Sequence, residues 1–135
     1  MKKEFSTAWK GSKQPRKQRK YLAKAPLHLK KKTMSINLSK DLRKVHGRRN
    51  IIIRKDDKVK IMRGKFKGKE GKVILVVTKQ QKIYIEGIQT KKQDGSKVNI
   101  PFRPSNLQIL ELKLDDKRRI KKSLNKQGEN KKWLT

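Results

Sequence analysis

The stretch that most constrains this chain runs from Asp56 to Val73 and reads Asp-Asp-Lys-Val-Lys-Ile-Met-Arg-Gly-Lys-Phe-Lys-Gly-Lys-Glu-Gly-Lys-Val. From Lys58 to Arg63 apolar and charged residues alternate, which predicts a strand with Val59 and Ile61 on its inner face. Glycines then stand at Gly64, Gly68 and Gly71, and Arg63, Lys65, Lys67, Lys69 and Lys72 are set among them. Glycine permits positive φ and the close approach of a second backbone, and the interleaved cations place positive charge on the same corner. Strand, basic glycine corner and second strand together predict a turn suited to phosphate contact.

The flanking sequence continues the strand pattern. Lys72 to Thr78 is almost wholly apolar, Lys82 to Glu86 alternates, and Leu107 to Leu112 supplies a last strand after breaks expected at Pro101 and Pro104. Lys79-Gln80-Gln81 reads as a compact connection, and Asp94-Gly95 as a hairpin turn between Gln89–Lys92 and Lys97–Ile100. Five or six short strands joined by tight turns predict a mainly β fold, a small barrel or rolled sheet, because closure removes exposed edges.

Outside this region the chain is dominated by charge. Lys and Arg number 41 against 11 Asp and Glu, a formal charge of +30, while only 32% of residues are apolar. That balance is poor for an ordinary enzyme and calls for a polyanionic partner, nucleic acid foremost. Residues 1 to 50 carry 17 basic and 2 acidic side chains, residues 51 to 110 carry 15 and 5, and residues 111 to 135 carry 9 and 4. The expected division is a basic RNA-binding arm with short helices over 1–50, the barrel over 51–112, and a C-terminal helix and tail over 113–135. No run of about 18 apolar residues is present, and neither a signal peptide nor a lipidation motif is recognisable, so the chain is expected on the cytosolic side without a membrane partner. With no cysteine, disulfides, zinc fingers and thiol nucleophiles are excluded. Asn37-Leu38-Ser39 fits a glycosylation sequon by chance, since secretory context is missing.

In the arm, apolar residues are too sparse for a continuous stripe, and Gly11 and Pro15 are expected to interrupt any helix before a short one begins near Pro26. Leu38 to Gly47 is the stronger helix, with Ser39 as N-cap, Asp41 in the first turn, Gly47 as C-cap, and Leu38, Leu42 and Val45 along an apolar edge. Arg16, Lys17, Arg19 and Lys20, then Lys30, Lys31 and Lys32, then Arg43, Lys44, Arg48 and Arg49 are candidate RNA contacts; alone, such runs also serve as localisation signals or solubilising tails. Phe5, Trp9 and Trp133 are expected to dock on RNA or a neighbouring protein, Tyr84 to pack in the core, and Phe66 to do either. After Leu114, Asp115 and Asp116 mark a helix start, Ile120 and Leu124 share one side, and Gly128 ends it. His28 and His46 stand without a second ligand at metal spacing, and Asp56-Asp57 and Asp115-Asp116 sit where capping and turn roles suffice. No catalytic residue, metal or cofactor is expected.

The Asp56–Val73 stretch resembles the KOW motif of small SH3-like barrels: an acidic residue ahead of the first strand, Val59 and Ile61, Gly64, the pair Lys67-Gly68, then Gly71 and Val73. Together with Met34-Ser35, Leu38–Arg43, Arg54–Asp57, Lys82–Ile88, Pro104–Leu107 and Leu112–Arg119, the chain resembles ribosomal protein twenty-four of the large subunit, in particular the eukaryotic form numbered twenty-six. The resemblance implies a structural protein without a cofactor or a homo-oligomeric state. Its partners would be large-subunit ribosomal RNA, near the peptide exit tunnel and early in assembly, and neighbouring ribosomal proteins. The implied place is the cytosolic ribosome, with nuclear or nucleolar passage. The alternative is a KOW-containing transcription or RNA-processing regulator; its usual separate α/β domain has no room in this chain.

Overall fold

A computed structural model describes residues 5–116 and 118–120. The strands are β1 (Ser35–Leu38), β2 (Asn50–Ile52), β3 (Lys58–Ile61), β4 (Glu70–Val77), β5 (Lys82–Lys91), β6 (Lys97–Phe102) and β7 (Leu107–Glu111); the helices are α1 (Pro15–Lys24), α2 (Leu27–Thr33) and α3 (Lys40–His46). One sheet in the order β2-β1-β7-β3-β4-β5-β6 carries the fold. Its pairs are antiparallel except β1 with β7, where Asn37 and Leu38 run parallel beside Gln108 and Ile109.

Period-two alternation directs one side chain of every two inward. Ile36 and Leu38, Val59 and Ile61, Ile83 and Ile85, and Leu107 and Ile109 meet in a single buried cluster with Met34, Ile51, Ile53, Val73, Ile88 and Phe102. Surrounding one cluster requires a curled sheet, and three register shifts supply the bend: Lys58/Val59, Val73/Leu75 and Tyr84/Gln89. Near the last, Gly87 takes φ +74°, so the segments around Tyr84 and Gln89 form one bent β5 rather than two strands. The product is a small barrel-like domain; among the described residues its ladder runs from β2 to β6 without a pair joining those ends.

Several local expectations are corrected. Pro101 does not end β6 but sits inside it opposite Tyr84, which is tolerated because β6 lies at the sheet margin and has one unpaired side. Pro15 does not interrupt a helix; it opens α1 at a first-turn position, where its missing N–H costs nothing. Tyr84 lies half-buried on the face opposite Ile83 and Ile85, as alternation demands, and so falls outside the core cluster. The stretch read as arm also contributes to the sheet: Met34, Ile36 and Leu38 repeat with period two, and β1 is inserted between β2 and β7. Leu38 thus belongs to the strand. Ser39 caps α3 as expected, accepting a hydrogen bond from the Leu42 amide at 3.4 Å, and Gly47 closes the helix at φ +59°. Leu42 reaches the core, whereas Val45 is 74% exposed.

A buried ion pair ties the C-terminal segment to the barrel. Asp57 is fully buried and receives both Nη groups of Arg119, Nη1 lying 2.7 Å from Oδ1. The amides of Arg54 (2.8 Å) and Lys113 (3.0 Å) complete its shell, while Arg119 also donates to the carbonyls of Lys113 and Ile52. Residues 118–120 are helical, and Asp116 accepts the Arg118 amide at 2.8 Å, the expected helix-start role. Leu124, Gly128 and Trp133 lie outside the described residues.

Candidate nucleic-acid interface

The corner between β3 and β4 is held by its own backbone. Lys67 donates its amide to Gly64 O (3.0 Å), Lys69 to Phe66 O (3.1 Å) and Gly68 to Ile61 O (2.8 Å), which closes the turn beneath the lysines. Gly64 and Gly68 stand at φ +93° and +88°, a region costly for other residues. Gly71 is needed for a different reason: a Cβ there would lie 2.7 Å from Ile85 Cγ2 and 2.8 Å from the Glu86 carbonyl oxygen of the neighbouring strand. Phe66 turns back into the protein and meets Phe102 edge-on, with ring centroids 6.3 Å apart, so it packs against the core. Arg63, Lys65, Lys67 and Lys69 are left exposed around a rigid bend.

Contacts from this corner gather further cations at the same end of the sheet. Met62 donates to Asn106 O at 2.8 Å, and Phe66 touches Phe102, which brings exposed Arg103 alongside. Phe102 pairs with Ile83 next to the β4–β5 connection, where Gln81 Nε2 donates to Thr33 Oγ1 at 2.6 Å. That bond fixes the end of α2, with Lys31 and Lys32 exposed. Lys30 is partly committed, its ammonium capping the Ala23 carbonyl at 3.1 Å. Arg103 stands singly in the sequence, and only the contacts of Phe66 with Phe102 and of Met62 with Asn106 make it part of this face.

A second cationic face lies at the opposite end of β1. Leu38 donates to Arg49 O at 3.0 Å and Ser39 to Ile109 O at 2.9 Å, so α3 and the following turn are fixed against the sheet. Lys44 and Arg49 are exposed there, Arg48 is half-buried, and Arg43 spends its Nε on the Leu38 carbonyl at 2.8 Å. Arg16, Arg19 and Lys20 are exposed on α1, and Lys17 lies 4.0 Å from the Trp9 ring centroid.

Most of the paired carboxylates gather around the start of β3 and the end of β7, whereas Glu70 opens β4 beside Lys69 and Asp41 is exposed in the first turn of α3. Lys58 pairs with Glu111 (3.0 Å), Lys60 with Glu70 (3.4 Å), Arg54 with Asp116 (3.1 Å), and Lys113 with both Asp56 (2.9 Å) and Asp115 (3.3 Å). The Lys113 hydrogen bond holds the Asp56 carboxyl below its ordinary value, and the Asp56 and Asp115 carboxylates raise Lys113 in return. Lys72 stands on β4 opposite Lys58, beside this acidic group, rather than on the corner with Lys65, Lys67 and Lys69. By contrast Arg63, Lys65, Lys67, Lys69, Arg103, Lys31 and Lys32 make no ion pair among the described residues. The same residues contain no group of three potential metal ligands, and His28 and His46 lie apart on α2 and α3. What the arrangement can do chemically is bind phosphate: fixed, solvated cations surround backbone that a polyanion can approach closely.

Residues 12–127 match the family model of the eukaryotic ribosomal proteins L26 and their archaeal L24 counterparts. The chain belongs to this family of ribosomal proteins. A relative within it, large ribosomal subunit protein uL24 of the archaeon Methanosphaera stadtmanae, is 51% identical over 108 residues, 80% of this chain and 92% of the relative. The family match begins at Ser12, so it takes in α1 and α2 as well as the sheet and reaches past the buried Arg119.

Proposed function

We propose that the chain is a structural constituent of the large ribosomal subunit that binds large-subunit ribosomal RNA through its two cationic faces and its N-terminal helices. The observation that carries this reading is the set of exposed cations on fixed backbone at the glycine corner, the end of α2 and the α3 turn, which among the described residues stand outside the ion pairs made at Asp56, Glu70, Glu111 and Asp116. Such surfaces recognise folded RNA through phosphates and shape. The family and its uL24 relative support the ribosomal setting. Within it, binding near the peptide exit tunnel and early in assembly, contact with neighbouring ribosomal proteins, and nuclear or nucleolar passage before residence on cytosolic ribosomes complete the proposal. The Lys and Arg residues act by charge and position, and the mechanism contains no chemical step.

Crosslinking in cell extract followed by sequencing of the bound fragments tests the assignment, and large-subunit RNA is the expected product. Binding of that RNA to the purified chain should weaken with salt by roughly 0.7 to 0.9 logarithmic units per phosphate neutralised, for each tenfold rise in salt. Changing Lys65, Lys67 and Lys69 together to Ala should lower that slope by about 2. A slope near zero in the unmodified protein would sink the proposal.

A further inference from the structure

The N-terminal unit contains a cleft that phosphate binding alone does not explain. The 3-10 turn Thr7–Trp9 lies across α1, and Phe5, Trp9 and Tyr21 form the walls of an open cleft of about 290 Å³. On α1, Lys17, Lys20, Tyr21 and Lys24 follow the i, i+3, i+4, i+7 spacing that places them on one side, so three ammonium groups rim the aromatic surface. Phe5 and Tyr21 are tilted at 50° with centroids 5.0 Å apart. Lys17 Nζ stands 4.0 Å from the centroid of Trp9, whose surface is 52% exposed.

Two observations separate this cluster from a core. Neither the 3-10 turn nor α1 contains a buried residue, and the three rings lie outside the central apolar cluster. Phe5 and Tyr21 are half-buried against each other and Trp9 is exposed under the Lys17 ammonium, so aromatic surface outside the core is left at the cleft for a ligand to share. The surrounding charge then selects the occupant. Between Glu4 and Asp41 the sequence places eleven Lys or Arg and not one carboxylate. A cationic or neutral peptide finds no complementary group here, whereas a ligand with a flat aromatic part and flanking negative charge satisfies both walls and rim.

We propose that this cleft is a stacking site for an unpaired nucleotide base of an RNA strand, with Trp9 and Tyr21 holding the base and Lys17, Lys20 and Lys24 its flanking phosphates. The proposal rests on the RNA-binding reading above and sharpens it, because duplex RNA hides its base faces and can offer this site only a backbone. The cleft matches the lower end of small-ligand site volumes, which suits one nucleotide. On binding, the Lys17 ammonium leaves the indole face for a phosphate and the base takes its place.

The test uses the full chain carrying Trp133→Phe, so that Trp9 is the sole indole reporter, with oligoadenylate as probe and an abasic oligomer of equal length as control. Oligoadenylate should quench Trp9 fluorescence and bind about ten- to a hundredfold more tightly than the abasic strand. Trp9→Ala should remove that advantage and leave the salt slope unchanged, while Trp9→Phe retains part of it. Lys17→Ala with Lys20→Ala should reduce the slope and leave the preference for a base intact. Because neither element carries a buried side chain, these variants keep the barrel folded, which circular dichroism checks. Equal affinity for the two strands, or equal quenching by a polyglutamate peptide, overturns the stacking site. If large-subunit RNA still binds with a steep salt slope in that case, the stacking proposal alone has failed; loss of that slope is the separate failure of the ribosomal-RNA reading.

Discussion

At the scale of single residues, the interaction that matters most for this fold joins two charges that the sequence separates widely. Asp57 is fully buried and the Arg119 side chain is 3% exposed, so neither charge has water to fall back on. The pair survives because every polar direction of the carboxylate is occupied: two guanidinium donors and the amides of Arg54 and Lys113. Removing one partner leaves an uncompensated buried charge, which costs about 3 to 5 kcal/mol. Arg119→Met should therefore lower stability by about that much in urea unfolding, and Asp57→Asn by a comparable amount. The Asp57→Asn, Arg119→Met double variant should lose less than the sum of the two. Strict additivity would mean that the two side chains stabilise the fold independently. From the sequence, Asp57 reads as a turn residue, and that part is correct, since it accepts the Arg54 amide. Its partner was not legible: Arg119 is one of 41 cations, and only the tertiary path that returns 118–120 to the start of β3 sets it apart.

Among the elements, legibility followed locality. The strand–corner–strand unit, the Asp94-Gly95 hairpin and the Ser39-to-Gly47 helix were readable because period-two alternation, φ-permissive glycines and capping are short-range effects. Gly95 takes φ +87°, Asp94 accepts the Ser96 amide at 2.9 Å, and the Lys92 amide donates to the Ser96 carbonyl at 2.9 Å, so the turn is built from five consecutive residues. β1 was obscured because four residues with only two inward positions give a weak alternation, and its parallel pairing with β7 joins segments far apart in sequence. The cationic faces were half readable. Clusters in sequence, such as Lys65, Lys67 and Lys69, declared themselves, while Arg103 needed the contacts of Phe66 with Phe102 and of Met62 with Asn106. For the corner itself, geometry and charge are separable. Gly71→Val forces a side chain into Ile85 and the Glu86 carbonyl, and Gly68→Val places a β-branched residue at φ +88°. Each should destabilise by about 1 to 3 kcal/mol. Exposed Lys67→Ala should leave the melting temperature unchanged and weaken RNA binding slightly. Equal melting temperatures in all three variants would show that the glycines are not structural.

For the whole molecule, the charge of +30 sets how the fold responds to pH. A large surplus of one sign opposes compaction, and the few carboxylates are the groups that offset it. Asp56, Asp94 and Asp116 are each held below the ordinary carboxylate value of 3.8. The causes are the Lys113 ammonium at Asp56, the Ser96 hydroxyl and amide at Asp94, and the Arg118 amide followed by the Arg54 guanidinium at Asp116. A carboxyl group whose folded pKa is depressed contributes stability that is fully present above its unfolded value and disappears as pH falls through the folded one. Stability should therefore be level from neutral pH down to the carboxylate range and then fall as acid protonates all three. The loss adds to the rise in net charge as the remaining carboxylates are neutralised. Added salt should restore part of this acid loss by screening the self-repulsion, while leaving the protonated hydrogen bonds unrepaired. The two contributions can be distinguished in urea unfolding across pH. Asp94→Asn, on an exposed turn remote from the Asp57 pair, should flatten the acid limb at low and high salt alike. A limb that salt abolishes entirely would assign the whole effect to net charge and none to the local hydrogen bonds.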